Sequence, residues 1–337
     1  MKAFIGLLLF TSSIILAQPI KISGKNFTEQ KIISEITRLY LIAKGYKVKR
    51  GRWLNTREIR QSILDNKTDI YWEYTGTAFL SFHQIKPNKQ DADEVYQQIK
   101  SIDREFGIIW LKPSKINNTY ALAIKPGFSP QISKISQLAK LIDEGKSYIF
   151  GCSFEFCRFN GQVVDFQKAY YFNFEKDNIK VMDLSEIYQR LADGTIDIGL
   201  IFSTNSKLRN AQYTLLQDDE NFLTSFNLTP LIRDEILIKH PKLAEHLNKL
   251  ATLLDNPTII NLNAKVEIDK VAFKKVAKQF LLEQKLISAP KKKTKRRIKK
   301  KKRYKRVSKK KTKPKKTKPK KKAVQPANNG LPKSAFF

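Results

Sequence analysis

Residues 58–75 (EIRQSILDNKTDIYWEYT) and residues 186–203 (EIYQRLADGTIDIGLIFS) follow one pattern, and this pair decides the fold. Each stretch has the apolar spacing of a helix, then Asn or Gly, then Asp, and then an apolar strand that ends in an aromatic residue. Asn and Gly suit the left-handed conformation that closes a helix. Two copies of one helix–strand unit predict two lobes of similar construction, with Tyr74 and Phe202 at corresponding strand ends. The alternative is that the similarity is coincidental and both rings are plain core.

Apolar, β-branched stretches alternate with helical patterns along the whole body of the chain. We predict strands at residues 20–24, 46–50, 69–74, 108–112, 120–125, 148–152 and 197–202. We predict helices at residues 27–44, 56–65, 91–106, 132–144, 185–193, 241–254 and 264–283. Asn26 and Glu29 resemble a capping pair for the first of these helices. Strands separated by helices indicate an α/β protein with parallel sheets covered on both faces, and such sheets bind ligands beyond the carboxyl ends of their strands.

The charge of the 337-residue chain is concentrated at one end. The formal net charge is +33, but 24 of the 64 Lys and Arg residues follow Pro290, and no Asp or Glu occurs after Glu283. The preceding residues carry the other 40 basic and all 31 acidic residues, which is an ordinary balance for a globular body. Net charge alone therefore does not indicate a nucleic-acid-binding protein. The body, residues 18–288, is long enough for two lobes with buried cores.

Residues 1–17 (MKAFIGLLLFTSSIILA) match a secretory signal peptide. A single Lys precedes an apolar stretch that is too short for a spanning helix and ends in a small residue. No Cys stands directly after the apolar stretch to carry a lipid, so we expect an exported, periplasmic protein that is not a lipoprotein.

Cys152 and Cys157 are the two cysteines of the chain. In an oxidising compartment they could form a short disulfide loop, and two free buried thiols are the alternative. A zinc site would need more ligands, and the three histidines lie far away in sequence, so we expect no metal site and no cofactor. The absence of a neighbouring His also argues against a catalytic Cys.

Four motifs occur in order along the body: SGKNFTEQ at residues 23–30, EYTGT at 73–77, NNTYAL at 117–122 and FSTN at 202–205. Together they resemble the substrate-binding protein of ABC importers for quaternary ammonium compounds such as glycine betaine, carnitine and choline. The resemblance covers about residues 20–288. It implies the two-lobed type II periplasmic-binding-protein fold, with the ligand in the cleft between the lobes. We expect lobe 1 at residues 18–118 and 209–288 and lobe 2 at residues 119–208.

The resemblance also implies the binding residues. A trimethylammonium group donates no hydrogen bond, so aromatic faces hold it through their quadrupoles, whereas a carboxylate needs hydrogen-bond donors. The cage positions of the family, usually tyrosines, fall on Tyr74, Tyr120, Phe202 and Phe226. The positions on the carboxylate side fall on Lys25, Thr77 and Arg158. Phenylalanine at two cage positions keeps the aromatic face but lacks a hydroxyl. For each residue the alternative is an ordinary role, as core for the aromatic residues and as solvated surface for Lys25 and Arg158.

The functional prediction is a non-enzymatic capture protein that acts as a monomer and delivers a quaternary ammonium compound, used as an osmoprotectant, to a membrane permease. An enzyme is disfavoured because the sequence contains no recognisable Ser-His-Asp set, phosphate loop or metal cluster. The alternative is an envelope polyanion-binding protein that acts through residues 289–337. Like charges and prolines in this Lys-rich segment predict a disordered tail. The tail is either a passive solubilising segment or a tether to an anionic envelope surface, and export argues against nucleic acid as its partner.

Overall fold

The computed structural model describes residues 18–85, 91–159, 162–210 and 213–288. The predicted signal peptide and the predicted basic tail lie outside the described residues. The described residues belong to one compact unit that ends at residue 289. Within them, no helix is both long and apolar enough to cross a membrane.

The chain alternates strands and helices. The strands are β1 (Ile20–Lys25), β2 (Val48–Leu54), β3 (Ile70–Tyr74), β4 (Ile108–Trp110), β5 (Tyr120–Ile124), β6 (Phe150–Cys152), β7 (Ile179–Val181), β8 (Ile198–Phe202), β9 (Thr214–Leu215) and β10 (Leu228–Arg233). The α-helices are α1 (Thr28–Ala43), α2 (Thr56–Leu64), α3 (Thr75–Thr77), α4 (Ala92–Arg104), α5 (Ile135–Asp143), α6 (Gln162–Ala169), α7 (Leu184–Asp193), α8 (Asp234–Lys239), α9 (Lys242–Ala251), α10 (Asn256–Glu267) and α11 (Phe273–Glu283). Two π-helical turns (Ala78–Phe82 and Glu155–Phe159) and two 3-10 turns (Lys176–Asn178 and Ser206–Asn210) complete these elements.

The first sheet has the strand order β2-β1-β3-β10-β4. Its strands β1, β2 and β3 are parallel, whereas β10 runs antiparallel to β3 and β4. Alternate residues of β3 point to opposite faces, so Trp72 packs toward α1, α9, α10 and α11, and Tyr71 packs toward α2 and α4. Both faces of this sheet are therefore covered by helices.

The second sheet has the strand order β7-β6-β8-β5-β9. Here β6 is parallel to β7 and β8, and β5 is antiparallel to β8 and β9. One face packs against α5 and α6, and the other packs against α7. The central strands of the two sheets are thus β3 and β8, the two strands that the repeated sequence pattern contains.

The repeated pattern has the same local structure in both copies. Asn66 and Gly194, which follow the helices, adopt left-handed φ angles of 60° and 77°. In each copy, the Asp just before the strand accepts a backbone hydrogen bond from a neighbouring segment. The Asp69 carboxylate accepts the Lys21 amide at 2.8 Å, and the Asp197 carboxylate accepts the Ile149 amide at 2.8 Å. The two copies therefore share one local structure. Of their two aromatic residues, Tyr74 is buried in the core of the first sheet, as the alternative held, whereas Phe202 is half-buried.

Both sheets are mixed, whereas the sequence pattern indicated parallel sheets. The prediction missed β10, the strand that makes the first sheet mixed, because Pro230 interrupts its apolar sequence. A proline lowers the expectation of a strand, since it cannot donate a ladder hydrogen bond. In the structure Pro230 lies opposite Trp72, and its carbonyl accepts the Leu111 amide at 3.1 Å.

The helix predictions also need correction. The predicted helix at residues 264–283 joins the end of α10, which begins at Asn256, to α11, whereas the chain turns between them at Lys270, where φ is +57°, and Asp269 pairs with Arg209. Helices α3, α6 and α8 were not predicted. The predicted cap of α1 is wrong, because Phe27 is the residue that precedes the helix and Glu29 turns inward.

The second sheet extends beyond residue 208, where the sequence placed the end of lobe 2. Strand β9, at Thr214–Leu215, pairs with β5, and Phe222 packs on the core of the second sheet. The chain returns to the first sheet near Asn227, which forms a bridge with Asn117. The predicted end of lobe 2 at residue 208 lies too early in the chain, because the polar stretch after β8 resembles a linker between lobes.

Candidate functional site

Two chain segments cross between the sheets side by side, at residues 117–119 and 224–227. The Asn118 amide donates to the Phe226 carbonyl at 3.1 Å, and the Thr119 hydroxyl donates to the Thr224 carbonyl at 2.8 Å. Tyr120 begins β5 directly after the first crossing, and Phe226 lies in the second. These crossings place Tyr120 and Phe226 at the junction of the two lobes.

Tyr120 and Phe202 form a stacked pair at this junction. They are partners across β5 and β8, with ring centroids 4.9 Å apart and an interplanar angle of 15°. Phe156 meets Tyr120 edge to face at 5.8 Å. Burial raises the pKa of the Tyr120 phenol, so the ring remains neutral at physiological pH. A neutral, partly exposed aromatic face can attract a cation.

A cavity of about 700 Å³ lies beside the Tyr120 ring, and we call it the aromatic cavity. Its apolar lining includes Leu80, Tyr120, Phe156, Phe222, Leu223 and Phe226. Gln162, Asp165, Lys168 and Tyr171, on α6 and just after it, also border it. Leu80 belongs to the first lobe and α6 to the second, so this cavity lies between the lobes.

A second cavity of about 560 Å³ has a polar lining, and we call it the polar cavity. Its lining includes Phe27, Glu29, Asn118, Phe202, Thr204 and Asn263. Because Tyr120 borders the aromatic cavity and Phe202 borders the polar cavity, the stacked pair contacts both.

Glu29 is a buried carboxylate of the polar cavity and is 3% exposed. Its Oε1 accepts the Tyr74 hydroxyl at 2.6 Å and the Asn118 amide group at 3.3 Å, and its Oε2 accepts the Asn263 amide group at 3.1 Å. Asn263 also donates to the Thr204 carbonyl at 3.1 Å. Burial raises the pKa of Glu29, while these hydrogen bonds oppose the rise. The residue therefore connects β3, α1 and α10 of the first lobe with the first crossing and the segment after β8.

Lys25 has a protein partner where the resemblance implied a ligand carboxylate. Its ammonium group lies 2.5 Å from Glu73 Oε1, and the two side chains are 4% and 0% exposed. The same ammonium lies 5.1 Å from the centre of the Tyr74 ring, on which Phe27 stacks at 6.3 Å. Tyr74 is itself buried and borders neither cavity. Lys25 and Tyr74 thus lie behind the cavity surface in this conformation.

The remaining predicted residues differ in their placement. Phe226 borders the aromatic cavity and packs so closely on Gly76 that a Cβ there would lie 2.6 Å from its ring. Thr77 is half-buried in α3 and borders neither cavity. Arg158 is exposed and borders a third cavity, of about 420 Å³, with Lys180 and Arg190. The structure therefore brings Tyr120, Phe202 and Phe226 together but not Thr77 or Arg158.

Cys152 and Cys157 are joined by a disulfide, with Cα atoms 6.1 Å apart. The bond connects the end of β6 to the π-helical turn that carries Phe156. Among the described residues, no group of three or more His, Cys, Asp or Glu side chains is placed to hold a metal ion.

Sequence reasoning missed Glu29, Phe156 and Tyr171 as site residues. Glu29 lies inside the SGKNFTEQ motif, which was a usable signal, but its spacing from Asn26 suggested a cap instead. Tyr171 was missed together with α6, although Val163, Phe166 and Tyr170 have the apolar spacing of a helix.

Comparison with known proteins agrees with this geometry. The family described as the substrate binding domain of ABC-type glycine betaine transport systems matches residues 18–283. A glycine-betaine-binding protein of Pseudomonas aeruginosa is 31% identical over 287 residues, which are 83% of this chain and 92% of that protein. An ergothioneine transport permease and binding protein of Helicobacter pylori is 29% identical over 267 residues, which are 78% of this chain and 47% of that protein.

A solved structure shows the same fold. The apo form of YehZ from Escherichia coli superposes with a TM-score of 0.73 at 24% identity, covering 80% of this chain and all of that chain. The predicted two-lobed α/β fold of periplasmic binding proteins is confirmed. The matches support solute capture and give no support to the polyanion-binding alternative. The chain belongs to the family of substrate-binding domains of ABC-type glycine betaine transport systems.

Proposed function

We propose that this protein captures a quaternary ammonium compound outside the cytoplasm and delivers it to a membrane permease. The observation that carries the proposal is the stacked pair of Tyr120 and Phe202, which presents aromatic surface to both cavities between the lobes. Phe226 adds a third ring on the opposite crossing. Such faces attract a trimethylammonium group, which has no hydrogen-bond donor to offer.

Glycine betaine, choline and carnitine are the first ligands to test, because the family and its relatives are named for betaine and carnitine. Ergothioneine, itself a betaine, is a further candidate because of the Helicobacter pylori relative. A carboxylate on the ligand needs a donor, and we retain Lys25, Thr77 and Arg158 as proposed carboxylate-side residues only for a closed state of the lobes. Tyr74 is proposed to support the cage from behind through its hydrogen bond to Glu29.

Replacing Tyr120 by Ala is expected to weaken ligand binding at least about tenfold, because a cation–π contact in a desolvated site contributes about 1–2 kcal/mol or more. Isothermal titration with the four candidate ligands measures the loss. Phe202→Tyr keeps the aromatic face and should be tolerated.

Tyr148→Ala is the matched control for this experiment. Tyr148 is a half-buried tyrosine of the same lobe that borders neither cavity. Equal affinities for Tyr120→Ala and Tyr148→Ala, both within about twofold of wild type, would remove Tyr120 from the site.

We propose that the protein is not an enzyme, since its family serves transport. It is proposed to act as a monomer and to reach the periplasm through a cleaved signal peptide at residues 1–17, without a lipid anchor. The support for export is the sequence pattern of that segment.

We also propose that residues 289–337 tether the protein to anionic envelope surfaces. The segment has 24 Lys and Arg residues and no acidic residue. Each basic residue close to an anionic membrane contributes up to about 1 kcal/mol, and salt screens this attraction over roughly 8 Å. Nucleic acid is a disfavoured partner for an exported protein.

A chain ending at Ser288 is therefore expected to keep its ligand affinity and to lose salt-sensitive binding to anionic phospholipid vesicles. Co-sedimentation at low and high salt measures this, with zwitterionic vesicles as the control. Equal sedimentation of the full and shortened chains at low salt would show that the tail is not a tether.

A further inference from the structure

Tyr171 adopts a backbone conformation that is unusual for its residue type. Its φ angle is +56°, in the left-handed region. The Tyr171 amide donates to the Lys168 carbonyl at 3.3 Å and the Phe172 amide donates to the Gln167 carbonyl at 3.1 Å, so the residue closes the end of α6. Glycine is the usual residue at such a position because it has no Cβ to strain. An aromatic residue here is conformationally unfavourable.

Packing in the core does not explain the choice of tyrosine. The Tyr171 side chain is 85% exposed, whereas its neighbours Tyr170 and Phe172 are 5% and 4% exposed. Residues other than glycine in the left-handed conformation cluster at ligand sites and other functional positions. Tyr171 borders the aromatic cavity and is therefore placed for such a contact.

The aromatic cavity is larger than a small betaine requires. Its volume of about 700 Å³ lies in the range of pockets that hold drug-sized molecules, whereas glycine betaine has only about eight non-hydrogen atoms. Its apolar walls are formed by Phe156, Phe222 and Leu223 of the second lobe and Leu80 of the first, while Gln162, Asp165, Lys168 and Asn221 add polar groups to its border. The apolar part of this lining matches a flat apolar group better than the polar end of a small betaine.

We propose that Tyr171 and the aromatic cavity form a subsite for a planar ring that is covalently part of the quaternary ammonium ligand. The inference rests on the proposed function, since it assigns the cation of the ligand to Tyr120. The ring of the ligand then lies against Phe156 and Phe222, and Tyr171 covers it from the mouth of the cavity. The ligand class is a betaine that carries an aromatic or heteroaromatic side group.

Isothermal titration of the full chain with N,N,N-trimethylphenylalanine and with glycine betaine tests the subsite. The wild-type protein is expected to bind the ring-bearing betaine at least about tenfold more tightly than glycine betaine. Tyr171→Gly is expected to abolish most of this preference, and Tyr171→Phe, which keeps the ring, is expected to retain it. Thermal unfolding of Tyr171→Gly should occur at the same temperature as wild type or higher, since glycine relieves the left-handed conformation.

Lys285→Gly is the matched control, because Lys285 follows α11 with a φ of +55° and borders none of the three cavities. It should show the stability change of Tyr171→Gly without any change in ligand preference.

If the wild-type protein binds glycine betaine and binds the ring-bearing betaine no more tightly, the subsite is overturned and the proposed function is left intact. An equal loss for both ligands in Tyr171→Gly would also overturn it, since Tyr171 would then act on lobe closure. If wild type binds neither betaine, nor choline, carnitine or ergothioneine, the proposed function fails, and the subsite fails with it.

Discussion

Lys25→Met is expected to lower the free energy of unfolding by about 3–5 kcal/mol, because it leaves Glu73 buried without its counter-charge. Both side chains of this ion pair are almost fully buried, and Glu73 Oε1 also accepts the Tyr74 amide at 2.8 Å. An uncompensated buried carboxylate is far more costly than a missing surface charge. Urea unfolding in the absence of ligand measures the loss.

The double variant Lys25→Met/Glu73→Gln is the control. It removes both charges, and the Gln carbonyl can still accept the Tyr74 amide, so most of the lost stability should return. The same variant separates two roles of Lys25. If it folds normally and binds betaine like wild type, Lys25 serves the fold alone; if it folds normally but loses betaine more than choline, Lys25 also contacts a ligand carboxylate. A Lys25→Met variant as stable as wild type would contradict the buried ion pair.

Glu29→Ala is expected to lower the free energy of unfolding by roughly 2–4 kcal/mol, because the buried Tyr74 hydroxyl and one Asn263 N–H lose their acceptor. It should also weaken ligand binding, since Tyr74 and Asn118 lose the group that connects them beside the polar cavity. Denaturant unfolding and titration with glycine betaine measure the two effects. Glu29→Gln keeps a carbonyl acceptor for Tyr74 and should lose much less stability than Glu29→Ala.

The pH dependence of stability provides a second test of Glu29. Burial raises the pKa of this carboxyl above its ordinary value of 4.5 in the folded protein. A group with a raised folded pKa contributes stability that is fully present below its unfolded pKa and is lost as the pH rises through its folded pKa. The stability of wild type relative to Glu29→Gln should therefore decline as the pH rises above about 4.5. A difference that does not change with pH would show that the pKa of Glu29 is not raised.

Much of the local structure followed from the sequence. The repeated helix–strand pattern correctly predicted two α/β sheets, the left-handed residues Asn66 and Gly194, and the placement of Tyr74 and Phe202 at the ends of central strands. These features depend on residues close together in the chain, where apolar spacing, helix closure and strand propensity act directly. The motif order also predicted the family, and the motifs contain Tyr120 and Phe202, whose rings form the stacked pair.

The structure decided which side chains reach the cavities. Tyr74 and Lys25 were expected at the ligand, but the fold buries them against Glu29 and Glu73, partners 45 and 48 residues away in the chain. Strand β10 was not predicted because Pro230 interrupts its apolar sequence. Its partners, β3 and β4, lie more than a hundred residues earlier in the chain, so local sequence does not indicate the pairing.

What the sequence by itself determined is most of the helix–strand units, the two-lobed class and three aromatic residues of the cleft, Tyr120, Phe202 and Phe226, because these follow from local periodicity and from the resemblance to the family. What only the tertiary structure decided is the partner of each buried charge and the lining of the cavities, including Phe156 and Tyr171. Burial makes an unpaired charge so costly that Lys25 and Glu73 must meet, and no spacing rule states where a distant partner will come from. The orientation of a side chain toward the core or toward the cleft is therefore settled when the two sheets and their crossings assemble.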